Sequence, residues 1–323
     1  MRRLLAVWAA ALLLLAAGAA AAEEYPSKPV RVIVSFPPGS TPDLTARAVA
    51  PALAQLLGQP FVVDDRSGAG GNIGADAVAK AAPDGYTLLV STNGPVSINQ
   101  ALYPEMPYDP MRDLAPISLL VTAPQILAVG KDVPVKSVAE FVAYARANPG
   151  KMSYGTVGTG SAGHLTMEDL KIRESLDIVH VPYRGFPPAM LDLLAGNIQT
   201  MFAISAAVLP YMADGRVRGL AITSAKRAAS LPDLPTMIEL GYPGFESYAW
   251  IGLLAPGKTP PEIVAKLEAA TRKATAMPEV RDALVRQGFD VVGGSAAEFD
   301  AFRRSEATKW TEIIQRVGAK ADQ

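Results

Sequence analysis

The sequence predicts an α/β protein of two domains, each a mainly parallel sheet flanked by helices, with a cleft between them. Three observations carry this. Runs of β-branched and aromatic residues alternate with amphipathic segments along almost the whole chain, the pattern of strands covered by helices on both faces. Two of the strand-to-helix junctions, at residues 30–47 and 154–165, are rich in Gly, Ser and Thr. And 323 residues, 50% of them hydrophobic, suffice for two cores.

The elements follow in order. VRVIVSF, residues 30–36, reads as a buried strand. Pro37, Pro38 and Gly39 turn the chain, and Ser40, Thr41 and Asp43 open a helix in which Pro51 should impose a kink or a break. Such a junction leaves backbone N–H groups and a positive dipole end facing outward, which suits an anion. A strand at 60–65 leads into the loop RSGAGGNIG at 66–74, then a helix over 75–82 and a strand at 86–91. Apolar runs at 117–122 and 126–130 read as two further strands. Ser137 with Glu140 makes a capping box. Strands at 152–157, 177–183, 198–203 and 217–224 alternate with a helix from Ser161, a helix over 188–195 and a short one after 203. The tail returns with a strand at 248–256 and three helical segments, and Thr259 with Glu262 and Ser295 with Glu298 read as capping boxes. Boundaries fall in the extended stretches 116–131 and 241–256. Residues 23–124 with 247–323 then form the first domain and 125–246 the second. Ligands of such folds sit at the carboxyl ends of strands, so the two Gly-rich junctions should face each other across the cleft.

Arg2 and Arg3 precede an apolar run at 4–15, and small residues lead to Ala20, Ala21 and Ala22. This is a secretory signal peptide, residues 1–22, with a core too short for a good membrane span. The chain has no cysteine, so no lipid attachment site and no disulfide is expected. Losing Arg2 and Arg3 moves the formal charge from −1 to −3, which attracts neither nucleic acid nor an anionic membrane.

The second junction, GTVGTGSAGHL, contains Gly158-x-Gly160-x-x-Gly163, formally a dinucleotide fingerprint. The following strand, however, ends in Tyr183 and Arg184 rather than in the acidic residue that holds a ribose. What remains is close backbone approach at the glycines, hydroxyl donors from Thr159 and Ser161, and an N-cap at Ser161. Ser161 and His164 raise the alternative of an ester hydrolase, but Thr159 stands where a nucleophile elbow needs glycine. No His pair has metal-binding spacing, and no metal or cofactor is expected. Arg184 lies on a loop at a strand's carboxyl end, where it would clamp a carboxylate. Ser91, Thr92 and Asn93 end another strand and would present donors to the cleft. Phe36, Phe202 and Trp250 would line its walls.

The ordered segments FPPGSTPD, RSGAGGNIGADAVAKAAPDGYTLL, INQALYPEMPYDPMRDLAPIS, YGTVGTGSAGHLTMEDL, HVPYRGFPPAMLDLLAGNIQTMF and LPTMIELGYPGFE resemble the Bug/TctC family. These are the extracytoplasmic solute receptors of tripartite tricarboxylate transporters, and the resemblance covers essentially the whole mature chain. It implies a type II-like periplasmic binding fold whose two crossover strands act as a hinge, closing on a small carboxylated solute. It also implies a periplasmic location, a membrane permease as transient partner, no enzymatic activity and a monomer. A solute sensor without a transport role has the same pattern. Carried over residue by residue, the first-turn contacts are Phe36, Pro38, Gly39, Ser40, Thr41 and Asp43, and the loop after the third strand gives Ser91, Thr92 and Asn93. The second turn gives Gly158, Thr159, Gly160, Ser161 and His164, and Tyr183 and Arg184 match the family's PY-K/R-G segment. The sequence departs from the family at Ser40, which replaces a glycine, at Ser67, which replaces a proline, and at Ala203, where many relatives carry Asp. Ala203 argues against a ligand amine and for a dicarboxylate with an apolar or aromatic body, such as terephthalate.

Overall fold

The computed structural model describes residues 24–228 and 231–320, and the signal peptide expected at 1–22 lies outside the described residues. The first half opens with β1 (Val30–Val34), α1 (Thr41–Leu57), β2 (Phe61–Asp65), α2 (Asn72–Ala79) and β3 (Thr87–Thr92). Two short helices follow, α3 (Asn99–Leu102) and α4 (Pro110–Asp113), before β4 (Leu114–Gly130) leaves this half. The second half comprises α5 (Val138–Ala147), β5 (Ser153–Thr156), α6 (Ala162–Glu174), β6 (Val179–Pro182), α7 (Phe186–Ala195), β7 (Thr200–Ile204), α8 (Ser205–Ala213) and β8 (Val217–Ile222). The chain returns on β9 (Tyr248–Pro256) and continues with α9 (Pro261–Ala276), α10 (Pro278–Arg286), β10 (Asp290–Val291) and α11 (Ala296–Val317).

The strands run β2-β1-β3-β9-β4 through the first half and β4-β7-β5-β6 through the second, because β4 belongs to both. β1 shows why the sequence reads as a continuous apolar run there. Val30, Val32 and Val34 pack in the core that includes Val49 and Leu53 of α1, while Ile33 packs on the other face with Ala75 and Val78 of α2. Both faces are covered over most of the strand, and the exception is Arg31, which is exposed where it pairs with Asp64.

The fold class is α/β as expected, but the sheets are mixed rather than mainly parallel. β1 pairs in parallel with β2 and β3, and β5 with β6 and β7. β9 runs antiparallel to β3 and β4, and β4 antiparallel to β7 and β8. The crossing strands cause this: an antiparallel neighbour needs no covering helix, so β4 and β9 can pair directly as they run in opposite directions. The two strands expected at 117–122 and 126–130 are one, β4. Pro124 looks like a strand breaker, yet it pairs with Tyr248 at the end of the β4–β9 ladder, and the next residue, Gln125, starts the ladder with β7. A missing donor costs little where one ladder hands over to the next.

Four local expectations also need correction. α1 runs through Pro51 without a break. Pro51 and Arg47, the residue whose carbonyl loses its donor, are both exposed. α2 starts at Asn72, inside the expected loop. The Thr259–Glu262 box does not form: α9 takes Pro260 as its N-cap, Pro261 supplies the first turn, and the buried Thr259 hydroxyl caps nothing. The Ser295–Glu298 box forms fully. At α5 only half of it does, because Ser137 accepts the Glu140 N–H while the Glu140 carboxylate takes the Lys136 N–H.

Candidate functional site

Strand register alone brings the two turns together. β3 ends at Thr92, opposite Ile251, which lies opposite Val121 of β4. β7 ends at Ile204, opposite Gln125. β3 runs in the direction of β4 and β7 runs against it, so their carboxyl ends meet at the waist of β4. β1 is parallel to β3, and β5 to β7, so both glycine turns are delivered to that waist.

In the first turn, Ser35 is buried and its hydroxyl lies 2.7 Å from that of Ser91, tying the ends of β1 and β3 together. Phe36 is half-buried. A Cβ on Gly71 would stand 3.0 Å from its ring and 2.6 Å from Pro95, so only glycine fits there. Pro37, Pro38, Gly39 and Thr41 are exposed. Gly39 has φ +79°, and its N–H donates to Asp43 at 2.7 Å. The Asp43 side chain is buried and lies 2.6 Å from Arg47 Nε, and Arg47 reaches on to Asp65 at 2.9 Å. Burial, reinforced by Asp43, raises the Asp65 carboxyl above its ordinary value. Asp43 therefore holds the turn from within instead of presenting its carboxylate outward.

Ser40 is the N-cap of α1, with φ −70° and ψ 160°, but its hydroxyl makes no capping bond. Ser40 Oγ is enclosed and has no hydrogen-bond partner among the described residues, and Asn93 Nδ2 at the end of β3 is in the same condition. Ser91 and Asn93 are buried and Thr92 is half-buried.

The second turn follows β5. The Gly158 N–H donates to Thr156 Oγ1 at 3.3 Å, and Gly160 has φ +79°. A Cβ on Gly160 would lie 2.3 Å from Leu102 of α3, and one on Gly163 would lie 2.4 Å from the Phe202 carbonyl of β7. The turn is thus packed against both halves at once. Ser161 caps α6 by accepting the His164 N–H at 3.4 Å, and Thr159 beside it is half-buried. His164 Nδ1 accepts the Gly160 N–H at 3.1 Å, so its proton resides on Nε2. Burial, and then the neighbouring His180, push the His164 imidazole down to about 4. Ser161 Oγ is therefore bonded to a backbone N–H, and the one unprotonated nitrogen of His164 is engaged by Gly160. This is not the serine–imidazole pairing a hydrolase uses.

Of the remaining expected residues, Tyr183 lies beside the second turn, where its N–H donates to the Thr156 carbonyl at 3.0 Å. The Tyr183 hydroxyl donates to Asp192 of α7 at 2.6 Å and is pushed up to about 12, first by burial and then by that carboxylate. Arg184 is exposed at the start of the β6–α7 loop. The Ala203 side chain packs with Ala189, Met190 and Val208 in an apolar cluster, while its neighbour Ile204 packs against the core of the first half. Trp250 and Phe202 are core residues.

Sequence reasoning passed over Gln125. Its Nε2 lies 2.9 Å from Thr166 Oγ1 of α6 and 2.7 Å from Ser247 Oγ, and it is buried where β4 crosses between the halves. The available signal was a lone amide inside the apolar run ISLLVTAPQILAVG.

This geometry agrees with what the chain is similar to. The family described as Tripartite tricarboxylate transporter family receptor matches over residues 45–319. The chain belongs to that family. Protein BugT of Bordetella pertussis is 37% identical over 299 residues, 92% of this chain and 92% of that protein. Among solved structures, the R. palustris protein Rpa4515 with adipate superposes with a TM-score of 0.80 at 36% identity, covering 93% of this chain and all of that one (100%). MatC from Rhodopseudomonas palustris with bound malate gives 0.77 at 33% identity, over 90% of this chain and 100% of that one. A further solved structure, periplasmic binding protein BugD, gives 0.76 at 34% identity, and no helix among the described residues of this chain is long and apolar enough to cross a membrane.

Proposed function

We propose that this chain is a periplasmic receptor, exported by a signal peptide at residues 1–22, that captures a small dicarboxylate between its two glycine turns. The observation that carries the reading is two enclosed polar atoms without partners among the described residues, Ser40 Oγ at the start of α1 and Asn93 Nδ2 at the end of β3. Buried donors without acceptors are costly, and a carboxylate oxygen satisfies them. The ligand is held at the first turn by Phe36, Pro38, Gly39, Ser40 and Thr41, and by Ser91, Thr92 and Asn93 at the end of β3. Gly158, Thr159, Gly160 and Ser161 close over it from the second half, with Arg184 at the rim. Asp43, His164 and Tyr183 act by holding other groups in place.

Residues 24–124 with 247–320 move as one body and 125–246 as the other, about the crossing strands β4 and β9. The closed form, as a monomer, delivers its solute to a membrane permease of the tripartite tricarboxylate type. Adipate and malate, the ligands of the solved relatives, head the candidates, with terephthalate as the aromatic case. Titration calorimetry of the mature chain against adipate, malate, terephthalate, citrate and glutamate tests this. Tight binding of a plain diacid is the expected result, and tight binding of glutamate alone would sink the proposal.

A further inference from the structure

The chain contains two histidines, and the fold stacks them on each other beside the second turn. The ring centroids of His164 and His180 are 4.2 Å apart at 26°, and Tyr154 lies 4.9 Å from His180. Each ring serves one glycine of the turn. His164 Nδ1 accepts the Gly160 N–H directly at 3.1 Å. His180 Nε2 lies 2.7 Å from Thr156 Oγ1, and that same oxygen accepts the Gly158 N–H at 3.3 Å. The charged groups that act on His164 include Glu168 and Lys171 of α6: Glu168 accepts the Tyr154 hydroxyl at 2.5 Å and lies 2.6 Å from Lys171. Glu168 still favours a proton on His164, but burial and the neighbouring His180 outweigh it.

Resting on the receptor reading above, we propose that the stacked His164–His180 pair positions the second turn for the carboxylate, and that a proton on the pair loosens the turn and lowers affinity. A proton on His164 Nδ1 would sit on the lone pair that Gly160 uses, setting two donors against each other. Two rings this close do not both charge readily, so the pair takes up its first proton as a unit. The sign follows from burial. A free histidine protonates below about 6.5, whereas burial holds His164 down to about 4. The neutral arrangement therefore stabilises the fold fully above about 6.5 and loses that contribution progressively as pH falls towards 4.

Two measurements on the mature chain test this. In NMR titrations without ligand, the Gly160 amide shift should follow the midpoint of the histidine titration. In His180→Gln, which keeps a partner for Thr156 but removes the stacked ring, the His164 midpoint should rise by about one unit. In calorimetry with adipate from about pH 7.5 to 4, the wild type should lose up to about twofold more affinity than His164→Asn, whose side-chain oxygen still accepts from Gly160 but does not titrate. Protonation of adipate itself affects both proteins equally. Equal pH slopes in the two proteins, or a Gly160 signal indifferent to the histidine titration, would overturn the proposal. If adipate fails to bind even at pH 7.5, the receptor reading is in trouble, while the NMR arm still decides whether the pair holds the turn.

Discussion

The two glycine turns have nearly the same backbone and opposite chemistry. Gly39 and Gly160 both have φ +79°, and each is followed by a serine N-cap in extended conformation, Ser40 at φ −70°, ψ 160° and Ser161 at φ −64°, ψ 157°. In each the glycine N–H donates to the side chain four residues on, Asp43 in the first and His164 in the second. There the likeness ends. Asp43 is an ion-paired carboxylate braced by Arg47, whereas His164 is a neutral ring braced by another ring. Ser161 caps its helix and Ser40 does not. One geometry thus serves two tasks: the first turn keeps an uncommitted hydroxyl and a rigid charged anchor, and the second keeps its hydroxyl in the cap and an anchor sensitive to protons.

The largest effect that separates the turns should come from adding one methyl group. Both glycines have positive φ, so alanine strains either by about 1–2 kcal/mol. Gly39 has open space around the missing Cβ, while at Gly160 that atom would stand 2.3 Å from Leu102. Gly160→Ala should therefore lower unfolding free energy by about 2–4 kcal/mol and Gly39→Ala by no more than about 2, read from urea midpoints. Equal losses would mean that the contact with α3 does not distinguish the turns.

The sequence exposed the turns because their information is local: glycine where φ is positive, proline before, serine at the cap. It exposed the strand–helix alternation for the same reason. The mixed sheet was hidden, because the direction of β9 depends on a partner far away in the chain. The continuity of β4 was hidden behind Pro124, whose cost vanishes only at a handover between ladders. The likeness of Asp43 and His164 was equally invisible, since neither residue type announces that it will accept a glycine N–H. Asp43 and Tyr183 read as ligand contacts in the sequence, but their polar atoms are engaged within the protein. The Gln125–Thr166–Ser247 cluster joins segments up to 122 residues apart, beyond any spacing rule.

A smaller and mixed effect is expected at Ser161. Ser161→Ala should weaken dicarboxylate binding by about 10- to 100-fold through a lost charge-assisted hydrogen bond, and should also cost about 1 kcal/mol of stability because the cap of α6 is lost. Calorimetry and a urea melt on the same preparation separate the two. Unchanged affinity would remove Ser161 from the site and leave it a cap alone.

Ser40→Ala should show the smallest total effect and the cleanest contrast. Its hydroxyl makes no capping bond, so there is no cap to lose. The enclosed oxygen has no hydrogen-bond partner among the described residues, and removing it should leave stability unchanged within about 0.5 kcal/mol or slightly improved. If that oxygen meets a ligand carboxylate, affinity should still fall by about tenfold. The serine of one turn would then act on affinity and stability together, and the serine of the other on affinity alone. A stability loss at Ser40→Ala equal to that at Ser161→Ala would mean that Ser40 caps α1 in solution after all, and the two turns would be chemically alike at this position.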